Sequence, residues 1–264
     1  MRRLGQHFLF DPSILKRIVE VSGVGSDDLV VEIGPGHGRL TALLAERAKK
    51  VIAIEIDPLL IREAKKALSH YKNIELIEMD ALKFPYEELG PFKVVSNIPY
   101  YITTPIIFRL LNLDNLISMT LTVQKEVAQR IVAGPGSKTY GVLSVMIQYR
   151  ARPEIKFLIP KGAFRPVPEV SSAVIYIEVL KGLHNVTDEG LFKKIVKTAF
   201  SNRRKTLLNT LKALNIANIK GILEECGINP QRRAETLTIE EFVKITDLVA
   251  KVTVKIALNQ SSGG

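Results

Sequence analysis

One cysteine, Cys226, stands among 264 residues, so the chain cannot form an internal disulfide. No metal-ligating residues cluster around it, so it reads as a small buried helix residue and no metal is expected. Long hydrophobic runs are missing. Near the N-terminus, Gln6, His7 and Asp11 interrupt any apolar stretch that could serve as a signal sequence or membrane span, so a cytoplasmic location and no membrane partner are expected. No internal repeat is present. Acidic residues are in deficit, 27 Asp and Glu against 37 Lys and Arg, for a formal charge of +10. Such a balance favours a polyanionic partner such as nucleic acid without establishing one.

What is present reads as an α/β protein. From about residue 13 to 180, short β-branched runs alternate with helical patterns, the signature of a parallel sheet flanked by helices. Strands are predicted at 29–33, 51–55, 74–77, 93–96, 117–123, 154–158 and 172–179. Only the loop from Pro160 to Glu169 separates the last two, so they can pair antiparallel at one end of the sheet. Beyond Gly182 the strand signals stop, and helices are predicted at about 188–200, 203–214, 217–225 and 239–250. The expected division is an α/β domain over 1–181, a small helical domain over 182–258 and a flexible tail over 259–264.

The strand Val30-Val31-Glu32-Ile33 runs into Gly34-Pro35-Gly36-His37-Gly38 and then a helical stretch. Glycines there permit unusual dihedrals and let a nucleotide-like ligand approach the backbone. The next strand ends in Glu55, about 21 residues on, where a carboxylate can accept hydrogen bonds from both hydroxyls of a ribose. A dinucleotide fingerprint would place its third glycine at position 39, which holds Arg39, so a dinucleotide-dependent dehydrogenase is disfavoured. The resulting GxGxG turn resembles the cofactor loop of class I S-adenosylmethionine-dependent methyltransferases, whose sheet is Rossmann-like. Asp80, in Glu78-Met79-Asp80-Ala81 after the third strand, stands where that family places an acid that reads the cofactor adenine, with Ala81 beside it.

At the end of the fourth predicted strand, Asn97-Ile98-Pro99-Tyr100 is similar to the [N/D/S]-[I/P/L]-P-[Y/F/W] motif of amino-group N-methyltransferases. Adenine N6 has its lone pair delocalised into the ring and is a poor nucleophile. An Asn97 side-chain oxygen and the backbone carbonyl beside Pro99 can accept both N6 hydrogens and aim the lone pair at a sulfonium methyl, with Tyr100 stacking on an extruded base. No strongly perturbed acid or base is required.

Gly5-Gln6-His7-Phe8-Leu9, the cofactor loop, Asn97 to Tyr101 and Phe164-Arg165-Pro166-Val167-Pro168-Glu169-Val170-Ser171-Ser172 occur in the order found in ribosomal RNA adenine N6,N6-dimethyltransferases. Phe200 to Leu207 and Arg233 to Thr238 are similar to segments of the small-subunit enzymes, which disfavours a large-subunit methyltransferase of the antibiotic-resistance type. The one departure is Ala234, where many relatives carry proline. The resemblance implies S-adenosylmethionine as cofactor and a class I fold with a small C-terminal helical domain. It implies cofactor contacts from His7, Leu9, Gly34, Gly36, Glu55, Asp80, Ala81 and Asn97. It makes Asn97, Pro99, Tyr100 and Phe164 the catalytic set, with Phe164 across the target adenine from Tyr100. The implied product is N6,N6-dimethyladenosine at two adjacent adenines in a 3′-terminal hairpin loop of small-subunit RNA. A role in small-subunit biogenesis on a pre-30S-type particle is implied too, with the protein acting as a monomer. An alternative keeps the fold and the RNA but makes the protein mainly an assembly factor.

Between Lys193 and Lys212 there is no acidic residue, whereas Lys193, Lys194, Lys197, Arg203, Arg204, Lys205 and Lys212 all lie there. An unbroken positive segment is expected to contact RNA phosphates, with Lys125 and Arg130 as weaker additions because Glu126 intervenes. Specificity would come from RNA shape and from a single-stranded or loop adenine.

Overall fold

The computed structural model describes residues 7–261, with side chains through Thr253. Arg2, Arg3, Gly5, Gln6 and residues 262–264 of the expected tail lie outside the described residues. In chain order the elements begin with β1 (Phe8–Leu9), α1 (Pro12–Val21), β2 (Leu29–Ile33), α2 (Arg39–Ala45) and β3 (Lys50–Glu55). They continue with α3 (Pro58–Ala67), β4 (Ile74–Glu78), β5 (Phe92–Ser96), α4 (Thr103–Leu110), β6 (Leu116–Gln124), α5 (Lys125–Val132) and α6 (Val142–Gln148). Then come β7 (Ala151–Ile159), β8 (Phe164–Arg165), β9 (Ser172–Val179), α7 (Glu189–Ala199), α8 (Leu207–Leu211), α9 (Ile219–Glu225) and α10 (Ile239–Ser261).

Seven strands form one sheet in the order β4-β3-β2-β5-β6-β9-β7. The first five are mutually parallel, while β9 runs antiparallel to both β6 and β7, as the short 160–169 connection requires. Val30, Val31 and Ile33 of β2 are buried, as a strand covered on both faces should be. Asp11 and Asp57 cap α1 and α3, each followed by proline at the first helical position. The parallel register brings the carboxyl ends of β2, β3, β4 and β5 to one edge: Ile33 lies opposite Ile54, and Glu55 opposite Glu78. Strand order reverses beside β2, where doubly wound sheets open a crevice.

The two-residue strands β1 and β8 pair antiparallel in a separate small sheet, Phe8 with Arg165 and Leu9 with Phe164. Such short strands carry no periodicity. Their pairing fastens the start of the chain to the loop before β9.

The chain divides into two compact units, one formed by 1–129 and 151–181, the other by 130–150 and 182–264. Residues 130–150, expected in the first domain, therefore belong with the helices. Their apolar side chains explain it: Tyr140, Val145 and Tyr149 join Phe192, Ile195, Leu207 and Phe242 in one core, and the Tyr149 and Phe192 rings lie 4.4 Å apart. In this second unit α8 ends five residues after it begins and is extended by one tight turn, so the expected 203–214 helix is shorter. Helix α10 runs to Ser261, into the segment expected as a tail. Among the described residues no helix is long and apolar enough to cross a membrane.

Candidate active site

The glycine turn after β2 is held from below by the sheet: the Gly34 N–H donates to the Ile54 carbonyl at 2.8 Å. Gly36 sits at φ +55°, and a Cβ there would lie 2.7 Å from the Phe8 ring. Glycine is thus required both by the left-handed backbone and by the close approach of β1. The Gly36 N–H points at Glu55 Oε2, 3.4 Å away. Gly36 acts through this turn and lines none of the recesses described next.

A cleft of about 560 Å³ opens over the strand ends, bounded by Gly34, Glu55, Asp80 and Ala81 with Pro99 and Tyr101. Four residues expected at the cofactor thus share one wall system. Glu55 is buried at the end of β3, and its Oε1 accepts from the Ile56 and Asp57 N–H groups at 2.9 and 3.1 Å. Burial raises its pKa above the ordinary value, against the pull of these backbone donors from Asp57, Ile56 and Gly36. Asp80 Oδ1 accepts from the Leu82 N–H at 2.9 Å, which shapes the turn after β4. Ile56, Met79 and Tyr101 are exposed apolar side chains on the rim of this cleft. They were not singled out in the sequence, although Ile56 and Tyr101 directly follow Glu55 and Tyr100.

Two further recesses, each about 360 Å³, share Gly34 and Asn97. One is lined by His7, Pro99 and Tyr100, the other by Leu9, Glu32, His37 and Arg39. The Asn97 Nδ2 donates to the His7 carbonyl at 3.1 Å. A carbonyl can only accept, so this bond fixes the amide orientation and leaves Oδ1 as the acceptor not used on His7. By the same logic His7 Nδ1, 2.8 Å from the Pro166 carbonyl, carries the proton of that bond. The Pro99 carbonyl accepts from the Ile102 N–H at 3.1 Å, whereas the Ile98 carbonyl, on the other side of Pro99, meets no loop or side-chain donor among the described residues. The Tyr100 hydroxyl lies 2.6 Å from Ser172 Oγ.

One expected placement changes. Phe164, expected to face Tyr100 across the target base, is fully buried in the core with Leu9, Leu15, Val95 and Val174. Pairing of β8 with β1 draws its side chain inward, so no face of its ring is open to a base. The ring that neighbours Tyr100 is His7, at 5.7 Å between centroids. His7, expected at the cofactor, lines the recess that Tyr100 shares with Gly34 and Asn97. In the second unit, Arg203 donates to the Tyr140 carbonyl at 2.8 Å and lies 3.3 Å from Glu235, tying two loops together. Lys193 stands 3.8 Å from Glu189. Lys194, Lys197, Arg204 and Lys205 are exposed, and none forms an ion pair with another described residue.

Residues 1–251 match the family model described as ribosomal RNA adenine dimethylase. The chain belongs to that family. A ribosomal RNA small subunit methyltransferase A of Caldanaerobacter subterraneus subsp. tengcongensis is 44% identical over 258 residues, covering 93% of this chain and 96% of the relative. One from Alkaliphilus metalliredigens is 44% identical over 265 residues, covering 94% and 91%. Among solved structures, a dimethyladenosine transferase from Plasmodium falciparum aligns with a TM-score of 0.81 at 29% identity over 90% of this chain and 96% of that one. The 23S rRNA methyltransferase ErmE aligns at 0.74 and 26% identity, covering 92% and 99%.

The protein is accordingly an S-adenosylmethionine-dependent ribosomal RNA adenine dimethyltransferase. The cleft fits this cofactor. Its charged lining residues are the acids Glu55 and Asp80, with no lysine or arginine to hold a diphosphate, as suits a ligand bearing a sulfonium cation.

Proposed function

We propose that this protein dimethylates adenine N6 in small-subunit ribosomal RNA, on a pre-30S-type particle in the cytoplasm, with the Asn97 to Tyr100 turn as its catalytic element. The observation that carries the reading is the orientation of the Asn97 amide. Its nitrogen is taken by the His7 carbonyl, so Oδ1 is the atom available to accept a hydrogen from the target amine. The Ile98 carbonyl supplies the second acceptor, and Pro99, having no N–H, offers no competing donor. Two acceptors bound to both N6 hydrogens withdraw the nitrogen lone pair from ring conjugation and direct it out of the ring plane.

Bound S-adenosylmethionine supplies an electrophilic methyl on a sulfonium that is already a good leaving group. Glu55 would hold the ribose hydroxyls, Asp80 and Ala81 would border the adenine, and Gly34 would let the ligand chain pass toward the recesses lined by Asn97, His7 and Leu9. Tyr100 stacks on the flipped base. Attack of N6 on that methyl would form the N–C bond as the S–CH3 bond breaks, S-adenosylhomocysteine leaving with the electron pair, and the resulting cationic amine would then lose its proton to water without a dedicated strong base.

Lys194, Lys197, Arg204 and Lys205 contact RNA phosphates from the second unit, giving salt-dependent and largely sequence-independent affinity. Lys193 and Arg203, held by acidic partners, contribute less. The similarity to relatives called small subunit methyltransferase A favours the small-subunit substrate.

The test is incubation with radiolabelled S-adenosylmethionine and small subunits lacking adenine methylation, with large subunits as control, followed by digestion to nucleosides. Labelled N6,N6-dimethyladenosine from small subunits alone is expected. Label in large subunits only would overturn the substrate assignment. Asn97→Ala should lower turnover about a hundredfold while sparing RNA affinity, because one acceptor aimed at the reacting amine is lost.

A further inference from the structure

Stacking on a base needs only an aromatic face, yet Tyr100 carries its hydroxyl into the sheet. Its oxygen lies 2.6 Å from Ser172 Oγ. Ser172 is fully buried at the first position of β9, where it pairs with Gln124 of β6 on one side and Ile159 of β7 on the other. Its backbone is thus held from both sides. Tyr100, by contrast, sits in a single turn of tight helix after Pro99, half-buried and lining the Asn97 recess. Held only at its backbone, that ring could swing about its Cα–Cβ bond.

We infer that Ser172 is a positioning residue for Tyr100, fixing the plane of the ring against which the target adenine stacks and so the height at which N6 meets Asn97. The inference rests on the function proposed above. Three features support it. The bond joins a recess wall to a buried serine whose strand is paired on both sides. It is short for a hydroxyl pair. It also takes up the hydroxyl that distinguishes tyrosine from the phenylalanine that the motif also admits. Base stacking ranks ring faces by area, and a small tilt changes the reach of N6 far more than it changes the stacking itself. The loss should therefore appear in turnover rather than in binding.

A double-mutant cycle on Ser172→Ala and Tyr100→Phe tests this, using methyl transfer to unmethylated small subunits. Each single variant removes the same bond from one side, and Tyr100→Phe does so without touching the strand. Each should lower kcat about tenfold, the scale of one hydrogen bond, with KM for small subunits and Kd for S-adenosylhomocysteine unchanged. The double variant should be no worse than either single one. Additive losses, or losses confined to KM, would overturn the positioning role and leave Ser172 as a strand residue only. Should Ser172→Ala fail to fold, an unchanged kcat in Tyr100→Phe would overturn it alone. Absence of any methyl transfer by the unmodified protein would instead refute the underlying function.

Discussion

Replacing Glu32 with glutamine should flatten the pH dependence of stability. Glu32 lies inside β2 with 2% of its surface exposed, and its Oε2 has no hydrogen-bond partner among the described residues. Burial pushes its pKa from the ordinary 4.5 up to about 8; the Thr41 hydroxyl beside it works in the opposite direction, and the negative charge of Glu55 adds to the rise. In the unfolded chain the carboxyl ionises near its ordinary value. Between those two values the folded protein therefore holds one proton more than the unfolded chain. Stability then falls by about 1.4 kcal/mol for each pH unit gained. The stabilisation is complete below the unfolded pKa and is lost as pH rises through the folded one. From pH 5.5 to 7.5 this amounts to about 3 kcal/mol. Glutamine matches the shape of neutral Glu32 and has no proton to lose, so Glu32→Gln should lack this slope, whatever constant offset its amide introduces. Urea unfolding of the cofactor-free protein, followed by circular dichroism at several pH values, measures both curves. Parallel curves for the two proteins across this window would refute the claim that Glu32 is neutral in the fold.

Glu55→Ala removes the acceptor for the ribose hydroxyls and should weaken S-adenosylhomocysteine binding about a hundredfold by calorimetry, the scale of two hydrogen bonds to a charged group. Gly36→Ala puts a methyl group 2.7 Å from the Phe8 ring on a backbone at φ +55°, so it should cost about 2 kcal/mol of stability in denaturant unfolding and loosen cofactor binding with it. Arg203→Ala should lower stability by about 1 kcal/mol through loss of the Tyr140 contact yet leave RNA affinity nearly intact. Arg204→Glu with Lys205→Glu should do the reverse, weakening small-subunit binding and reducing its salt slope by about 2 in filter-binding titrations.

The sheet was legible because its central strands, such as β2, β3 and β6, are largely apolar runs, and the cofactor cleft was legible because the parallel register makes strand ends converge. Gly34, Glu55 and the Asp80-Ala81 pair are far apart in the chain and still share one cleft for that reason. What escaped reading depends on contacts with no local signal. Two residues, Phe8 and Leu9, make a strand only because Phe164 and Arg165 lie beside them, and that pairing buries the ring expected at the target base. Residues 130–150 precede β7 and looked like part of the α/β domain. Their affiliation is decided by Tyr140 and Tyr149, whose partners Phe192 and Phe200 come some fifty residues later. Glu32, an acid inside a hydrophobic strand, was a signal in plain view.

The β1–β8 pairing also bears on how the site is built. Asn97 is oriented by the His7 carbonyl, His7 is bound to the Pro166 carbonyl, and Tyr100 is bound to Ser172. Each polar atom that aims the catalytic turn thus comes from outside it, either from the start of the chain or from the 164–172 segment. These two segments are joined by the ladder that places Leu9 opposite Phe164. An apolar Phe164 buried beneath that ladder supports catalysis by holding both segments in register. Its replacement by alanine should therefore impair the orientation of Asn97 and Tyr100 together, beyond the stability lost to the cavity left behind.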